Sequence, residues 1–330
     1  MKKLINAPET VLSESLDGFA AAHADIVTLG AERKFVRRKT LKPGKVGLVS
    51  GGGAGHEPLH AGFVGLGMLD AACPGQIFTS PTPDQIAAAM NAVDTGAGCL
   101  LIVKNYEGDV MNFEMAAEMA EGKVLSVVVD DDVAVERSTY STGRRGVAGT
   151  LVVEKLVGAA AEESRTIDEL QALAKAVNSR TRSMGVALSS CTVPAAGTPT
   201  FTLADDEMEL GVGIHGEPGR RRVKLETADA IAAELVGSII RDLEPRRSHG
   251  CLLVVNGFGG TPSIELYLMV NAATRMLREH GIEVARFLTG NYVTSLEMAG
   301  CSITVTELDD EFIRLWDAPV HTGALHWGRV

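Results

Sequence analysis

Apolar residues gather along this chain in short, nearly unbroken runs punctuated by glycine, proline and acidic residues, the pattern of strands buried on both faces. The runs at 46–49, 98–104, 124–129 and 251–256 predict buried strands, and 185–189, 208–214, 284–288 and 302–306 predict further ones. Helical stripes lie between them. One covers 11–24 through Val11, Leu16, Phe19 and Ala20, a second opens at Pro58, and a third covers 110–121 with Gly122 at its end. Others cover 147–163, with Ser141 and Thr142 as caps, 167–177, 228–243, and 262–280 opened by Pro262. Strands alternating with helices imply an α/β chain of two lobes with mixed, largely parallel sheets. The polar stretch 178–183, NSRTRS, is the expected boundary, dividing the chain into domains 1–182 and 183–330.

One apolar run continues into 50–55, SGGGAG, and then meets His56, Glu57 and Pro58. The expected arrangement is strand, glycine loop and helix, with Asp109 at a later helix amino terminus. Glycines let the backbone approach a small ligand, and open α/β sheets bind ligands beyond the carboxyl ends of their strands. A partial echo stands at 210–220, LGVGIHGEPGR, where glycines again precede a histidine, His215, and Glu-Pro follows. Two glycine-framed imidazoles imply one ligand pocket between the glycine loops of both lobes.

Composition narrows the function classes. The 330 residues suffice for two cores, and 45% hydrophobic residues exclude a disordered chain. Forty-two acids against 31 bases give a formal charge of −11, which opposes nucleic acid and anionic membranes. The basic run 33–45 has one aromatic residue and reads as a solvated loop. Five cysteines, odd in number and never in CxxC, fit free thiols in a reducing cytoplasm. The amino terminus has no apolar signal core and no window is long enough to span a membrane, so a cytoplasmic protein is expected.

Several short motifs carry little. His56-Glu57-Pro58-Leu59-His60 matches HExxH, but a proline between the two ligands opposes the continuous helix that a zinc site needs. Gly211 to Gly216 spells GxGxxG without a helix to open, and no phosphate-binding GxxxxGK[ST] occurs. Asp130-Asp131-Asp132 attracts hard cations in principle, yet three adjacent carboxylates on an extended chain cannot all face one ion. Helix capping, or pairing with Arg137, Arg144 or Arg145, is the expected use. No metal site is assigned.

The two histidine stretches, together with MKKLINA (1–7), CPGQIFTSPTPD (73–84), KNYEGDVMNF (104–113), VDDDVAV (129–135), GRRGV (143–147), CTVPAAG (191–197) and WDAPVHT (316–322), resemble the dihydroxyacetone-binding subunit of the dihydroxyacetone kinases. The resemblance implies that His215 captures the ketone as a hemiaminal, a filter that glycerol cannot pass. It makes Asp109 the base for the attacking hydroxyl and His56 a hydrogen-bonding assistant to proton transfer. Gly53, Ala54, Gly55 and Lys104 then hold the substrate. It implies further that this chain binds no cofactor, that ADP or ATP with magnesium sits on a separate partner subunit, and that the chain forms a homodimer. Both ATP and a phosphoenolpyruvate-dependent relay protein fit as the ultimate donor. Two departures from the family pattern are Glu107, where threonine is commoner, and the loop 256–260, NGFGG. The first leaves open dihydroxyacetone or a longer ketose such as erythrulose. The alternative function is a non-catalytic ketose-binding regulator.

Overall fold

In the computed structural model, described for residues 2–134, 143–217, 219–245 and 250–328, the chain divides into two compact units. Arg137, Ser141, Thr142 and Pro218 lie outside the described residues. The first unit comprises Met1–Val129, Val153–Ala176 and Arg314–Val330, and the second Asp130–Val152 and Val177–Ile313. The expected break at 182/183 falls inside a strand of the second unit, because Thr181 and Ser183 there are buried partners and not linker. Ser183 Oγ donates to Asp131 Oδ2 at 2.5 Å and pairs with Thr304 Oγ1 at 2.6 Å.

The first unit opens with α1 (Val11–Ala22), β1 (Val27–Leu29), β2 (Val36–Arg38), β3 (Gly47–Ala54), β4 (Gly65–Leu66) and β5 (Ala71–Ile77). It continues through α2 (Pro83–Val93), β6 (Cys99–Lys104), α3 (Glu107–Glu118) and β7 (Val124–Val129), and takes in most of α4 (Gly149–Glu162) and α5 (Ile167–Ser179). Its sheet runs β1-β2-β5-β3-β6-β7, with β5, β3, β6 and β7 parallel and β1 and β2 antiparallel at one edge. The central strands read as continuous apolar runs because α2 and α3 pack with them in one core that includes Val49, Leu101, Val103, Ile86, Met90 and Phe113. At the start of α2, Gln85 Oε1 accepts from Thr82 N at 2.9 Å, and Pro83 occupies the first helical position.

The second unit contains β8 (Thr181–Ala187), β9 (Glu207–Leu210), β10 (Arg221–Lys224), α6 (Ala228–Leu243), β11 (Cys251–Gly257), α7 (Ser263–Glu279), β12 (Val284–Gly290) and β13 (Gly300–Glu307). Its sheet order is β10-β9-β8-β13-β11-β12, and only β11 and β12 pair in parallel. The largely parallel arrangement thus describes the first unit, while antiparallel pairs dominate the second. Its core joins α6 and α7 to the sheet through Leu235, Ile239, Leu253, Ala273 and Ile303. After α8 (Asp310–Asp317), β14 (Val320–Thr322) and β15 (His326–Trp327) form a small sheet with β4.

The glycine loop and the helix from Pro58 are not present as expected. Gly51, Gly52 and Gly53 lie within β3, and residues 55–60 form turns followed by one 3-10 turn, Ala61–Phe63. The glycines serve close approach: a Cβ at Gly51 would lie 2.6 Å from Cys73 O, and one at Gly53 2.6 Å from Thr79 N. All five cysteines are free and buried. Burial pushes the thiol of Cys73 up, and those of Cys99, Cys251 and Cys301 up to about 12.

Candidate functional site

Asp109 and Lys104 are brought together by the turn from β6 into α3. Lys104 is the last residue of β6 and Asp109 the third of α3, where a carboxylate complements the helix dipole. Both side chains are buried, with Lys104 Nζ 3.2 Å from Asp109 Oδ2. Ser80, in the loop after β5, donates to Asp109 Oδ1. Glycine at 108 permits this approach, since a Cβ there would lie 2.8 Å from Ser80 Oγ. The helix begins at Glu107, three residues earlier than expected, so Asp109 sits within its first turn and Glu107 is exposed.

His56 follows directly on β3 and Gly55. Its ring is buried and stacks on Phe78, with centroids 5.0 Å apart and planes 21° from parallel. Gly55 has φ of 100°, and a Cβ there would meet the Phe78 ring at 2.7 Å, so glycine is needed on both counts. The Glu57 carboxylate accepts from Gly55 N at 3.1 and 3.0 Å, closing the turn, and partial loss of hydration there raises its pKa against the pull of the backbone hydrogen bonds, although the residue as a whole is exposed.

His60 ends the HExxH stretch. Its Nε2 lies 3.0 Å from Lys104 Nζ and its Nδ1 2.6 Å from Glu154 Oε1, so both ring nitrogens have protein partners. Burial, then Lys104 and His56, hold its pKa well below the ordinary histidine value. Among the described residues no three His, Cys, Asp or Glu side chains gather as a metal would require.

In the second unit, residues 211–216 form turns and not the start of a helix, which removes the dinucleotide reading. His215 is built into this turn by Glu217. The carboxylate accepts from His215 N at 2.9 Å through Oε2 and lies 3.0 Å from His215 Nδ1 through Oε1. Burial pushes the Glu217 carboxyl up, but the His215 ring and the Arg145 guanidinium outweigh it and hold the pKa at about 2. Glu217 therefore remains an anion, a hydrogen-bond acceptor only, so Nδ1 carries a proton, and the neutral form of the ring has its lone pair on Nε2. Arg145 is itself buried, donating to Asp132 Oδ2 at 2.8 Å and to Gly211 O at 2.7 Å.

The acidic triplet is used as the capping and pairing reading expected. Asp132 binds Arg145, Asp131 accepts from Val147 N and Gly149 N at the start of α4, and Asp130 accepts from Asn178 Nδ2. Arg144 instead pairs with Asp242. In the divergent loop, Asn256 Oδ1 accepts from Tyr292 N and Val293 N, so its side chain serves the backbone. Sequence reasoning left Ser80, Phe78, Glu154 and Arg145 without roles at the site. Glu154 carried a signal, an acid inside the apolar run LVVEKLV.

Residues 17–324 match the Dak1 domain. The chain is 50% identical over 326 residues to the dihydroxyacetone-binding subunit DhaK of a PTS-dependent dihydroxyacetone kinase of Listeria innocua, covering 98% of this chain and 99% of that one. Among solved structures it is similar to the dihydroxyacetone kinase from C. freundii in complex with AMP-PNP and Mg2+, with a TM-score of 0.90 and 31% identity over all of this chain and 62% of that one. It is also similar to the dihydroxyacetone kinase operon co-activator Dha-DhaQ, with a TM-score of 0.88 and 35% identity over 94% of this chain and 96% of that one. Matched from residue 17 to residue 324 and sharing half its positions with such a subunit, the chain belongs to the Dak1 family.

Proposed function

We propose that this chain is the ketose-binding subunit of a dihydroxyacetone-type kinase, a phosphotransferase that acts on an alcohol group. The observation that carries the reading is the His215–Glu217 pair, which makes Nε2 a nucleophile held by an anion. Nε2 of the neutral ring attacks the ketone carbon, the C=O π bond opens, the alkoxide takes a proton from solvent, and the Nδ1 proton, hydrogen-bonded to Glu217, is released to solvent. The net change is addition of N–H across the carbonyl, with nothing lost. A molecule with few polar atoms gains from this bond, because contacts alone yield at most about 1.5 kcal/mol per atom.

In this reading Asp109 accepts the proton of the ketose hydroxyl, and Lys104 and Ser80 hold the carboxylate in place for it. His56 hydrogen-bonds the substrate and assists, while the glycine backbone at 53–55 leaves room for it. A nucleotide with magnesium on a separate partner subunit supplies the phosphoryl group. The working form is a homodimer in the cytoplasm, and among the described residues no helix is long and apolar enough to cross a membrane. The similarity to the co-activator supports a second reading, a ketose-holding regulator without turnover. His56, Asp109 and His215 together favour catalysis.

Reconstitution separates the two. This chain with dihydroxyacetone or erythrulose, the nucleotide-binding subunit, and ATP or the relay protein should turn over, and the chain with ATP alone should not. A crystal soaked with dihydroxyacetone should show continuous density from His215 Nε2 to a tetrahedral carbon. A ketose bound without that bond in active protein would sink covalent capture.

A further inference from the structure

Lys104 reaches under β3, and its Nζ fills the space a side chain at residue 52 would take, 2.1 Å from a Cβ built on Gly52. An ammonium carries three N–H bonds and accepts none. Its partners are Gly51 O at 3.0 Å, His60 Nε2 at 3.0 Å and Asp109 Oδ2 at 3.2 Å, so three acceptors match three donors. Because the ammonium only donates, His60 Nε2 must offer its lone pair, and the ring proton must sit on Nδ1. Nδ1 faces Glu154 Oε1 at 2.6 Å and Ser50 Oγ at 3.0 Å. Ser50 gives its own hydrogen to Ile102 O at 2.7 Å, so both neighbours of Nδ1 can accept.

Glu154 has no packing reason for its position. It is fully buried in α4, between Val153 and Lys155, and its Oε2 has no partner among the described residues. Burial, against the pull of Lys104, pushes its carboxyl up to about 8. A buried acid is costly unless a partner needs it, and the partner here is the His60 proton.

We propose that Glu154 and His60 are positioning residues for phosphoryl transfer: Glu154 fixes the His60 tautomer, and His60 holds Lys104 so that its remaining N–H stays on Asp109. The inference rests on the reading of Asp109 as the base.

The test compares His60→Gln with His60→Asn in the reconstituted enzyme. A glutamine oxygen reaches the place of Nε2 and accepts from Lys104, whereas asparagine stops short. His60→Asn should lower kcat about 30- to 100-fold with KM for the ketose within about threefold, the size of a misplaced catalytic group, and His60→Gln should recover to within about fivefold of wild type. Equal activity in the two variants, whether high or low, overturns the proposal. A second measurement needs no variant. Nitrogen-15 imidazole spectra of the chain alone should show a neutral His60 with its proton on Nδ1 from about pH 6 to 8. That tautomer should persist in Glu154→Gln, which keeps an oxygen on Nδ1, and be lost in Glu154→Leu. A proton on Nε2 in an otherwise active wild type sinks the positioning role alone. Absence of turnover by the wild type with any ketose and either donor sinks the Asp109 reading, and the positioning role with it.

Discussion

The two histidine turns differ by one transposition, Gly-His-Glu-Pro at 55–58 against His-Gly-Glu-Pro at 215–218. In both, the glutamate accepts from the backbone N–H two residues before it, Gly55 in one and His215 in the other. In the first turn the capped residue has no side chain, and the histidine one place later stacks on Phe78. In the second the capped residue is the histidine itself, so the same carboxylate also meets its ring. The electrostatics diverge accordingly: partial loss of hydration raises the Glu57 carboxyl, while His215 and Arg145 overcome burial and hold Glu217 at about 2. One exchanged pair of residues separates an imidazole held by stacking from one held by an anion.

If the second turn captures the ketone and the first unit carries out transfer, the two jobs separate under mutation. The largest effect is expected from Asp109→Asn, which keeps size but removes the base; turnover should fall about 10²–10⁴-fold with the His215 link still visible in a soaked crystal. A variant turning over at the wild-type rate would assign the base elsewhere. Next comes His215→Ala, which should abolish the link and reduce discrimination of dihydroxyacetone over glycerol about 10²-fold, with residual transfer through the first unit. Competition kinetics measure this, and retained ketone selectivity would refute capture. Glu217→Gln keeps an oxygen on Nδ1 but removes the charge, so the loss in kcat/KM should be only about five- to tenfold, roughly 1 kcal/mol.

The smallest effect is on stability against pH, and it tests the sign of the comparison. Glu217 has a depressed folded pKa, so the stability it contributes is present above the ordinary glutamate value of 4.5 and is lost as pH falls through about 2. Glu57 is raised, so its contribution declines as pH rises past the same ordinary value. Thermal melts from about pH 3 to 8 should therefore show Glu217→Gln destabilised relative to wild type at neutral pH, with the gap narrowing in acid, and Glu57→Gln changing in the opposite sense. Parallel curves for both variants would remove the distinction between the turns.

Apolar runs made the central strands and the long helices legible, and β7 and α6 keep their expected bounds. Three features hid in the chain for physical reasons. β5 contains Pro74 and Gly75, which read as a breaker; β2 pairs only with Ala71 and Ala72, so the far side of the strand tolerates a proline. β10 is a short edge strand with largely exposed residues, RRVK, and carries no apolar signature. The glycines of β3 read as a loop because their reason is non-local: the space they leave is filled by Cys73, Thr79 and Lys104. At the site, glycine-framed imidazoles marked His56 and His215, and the family resemblance marked Lys104 and Asp109. Ser80 could not be found that way, because its partner Asp109 lies 29 residues away, and the pairing of Arg145 with the acidic triplet was expected while its bond to Gly211, 66 residues away, was not.

The buried cysteines make the protein its own clock of opening. Cys73 and Cys99 lie in the first unit, and Cys191, Cys251 and Cys301 in the second. Thiolate is the reactive form, and four of these thiols are held far into the protonated state by burial, so a small alkylating reagent finds little to attack in the closed protein. Each adduct then records a moment when its own unit came apart. Mass spectrometry of the labelled peptides over time would give a separate rate for each unit from one sample, without any engineered probe.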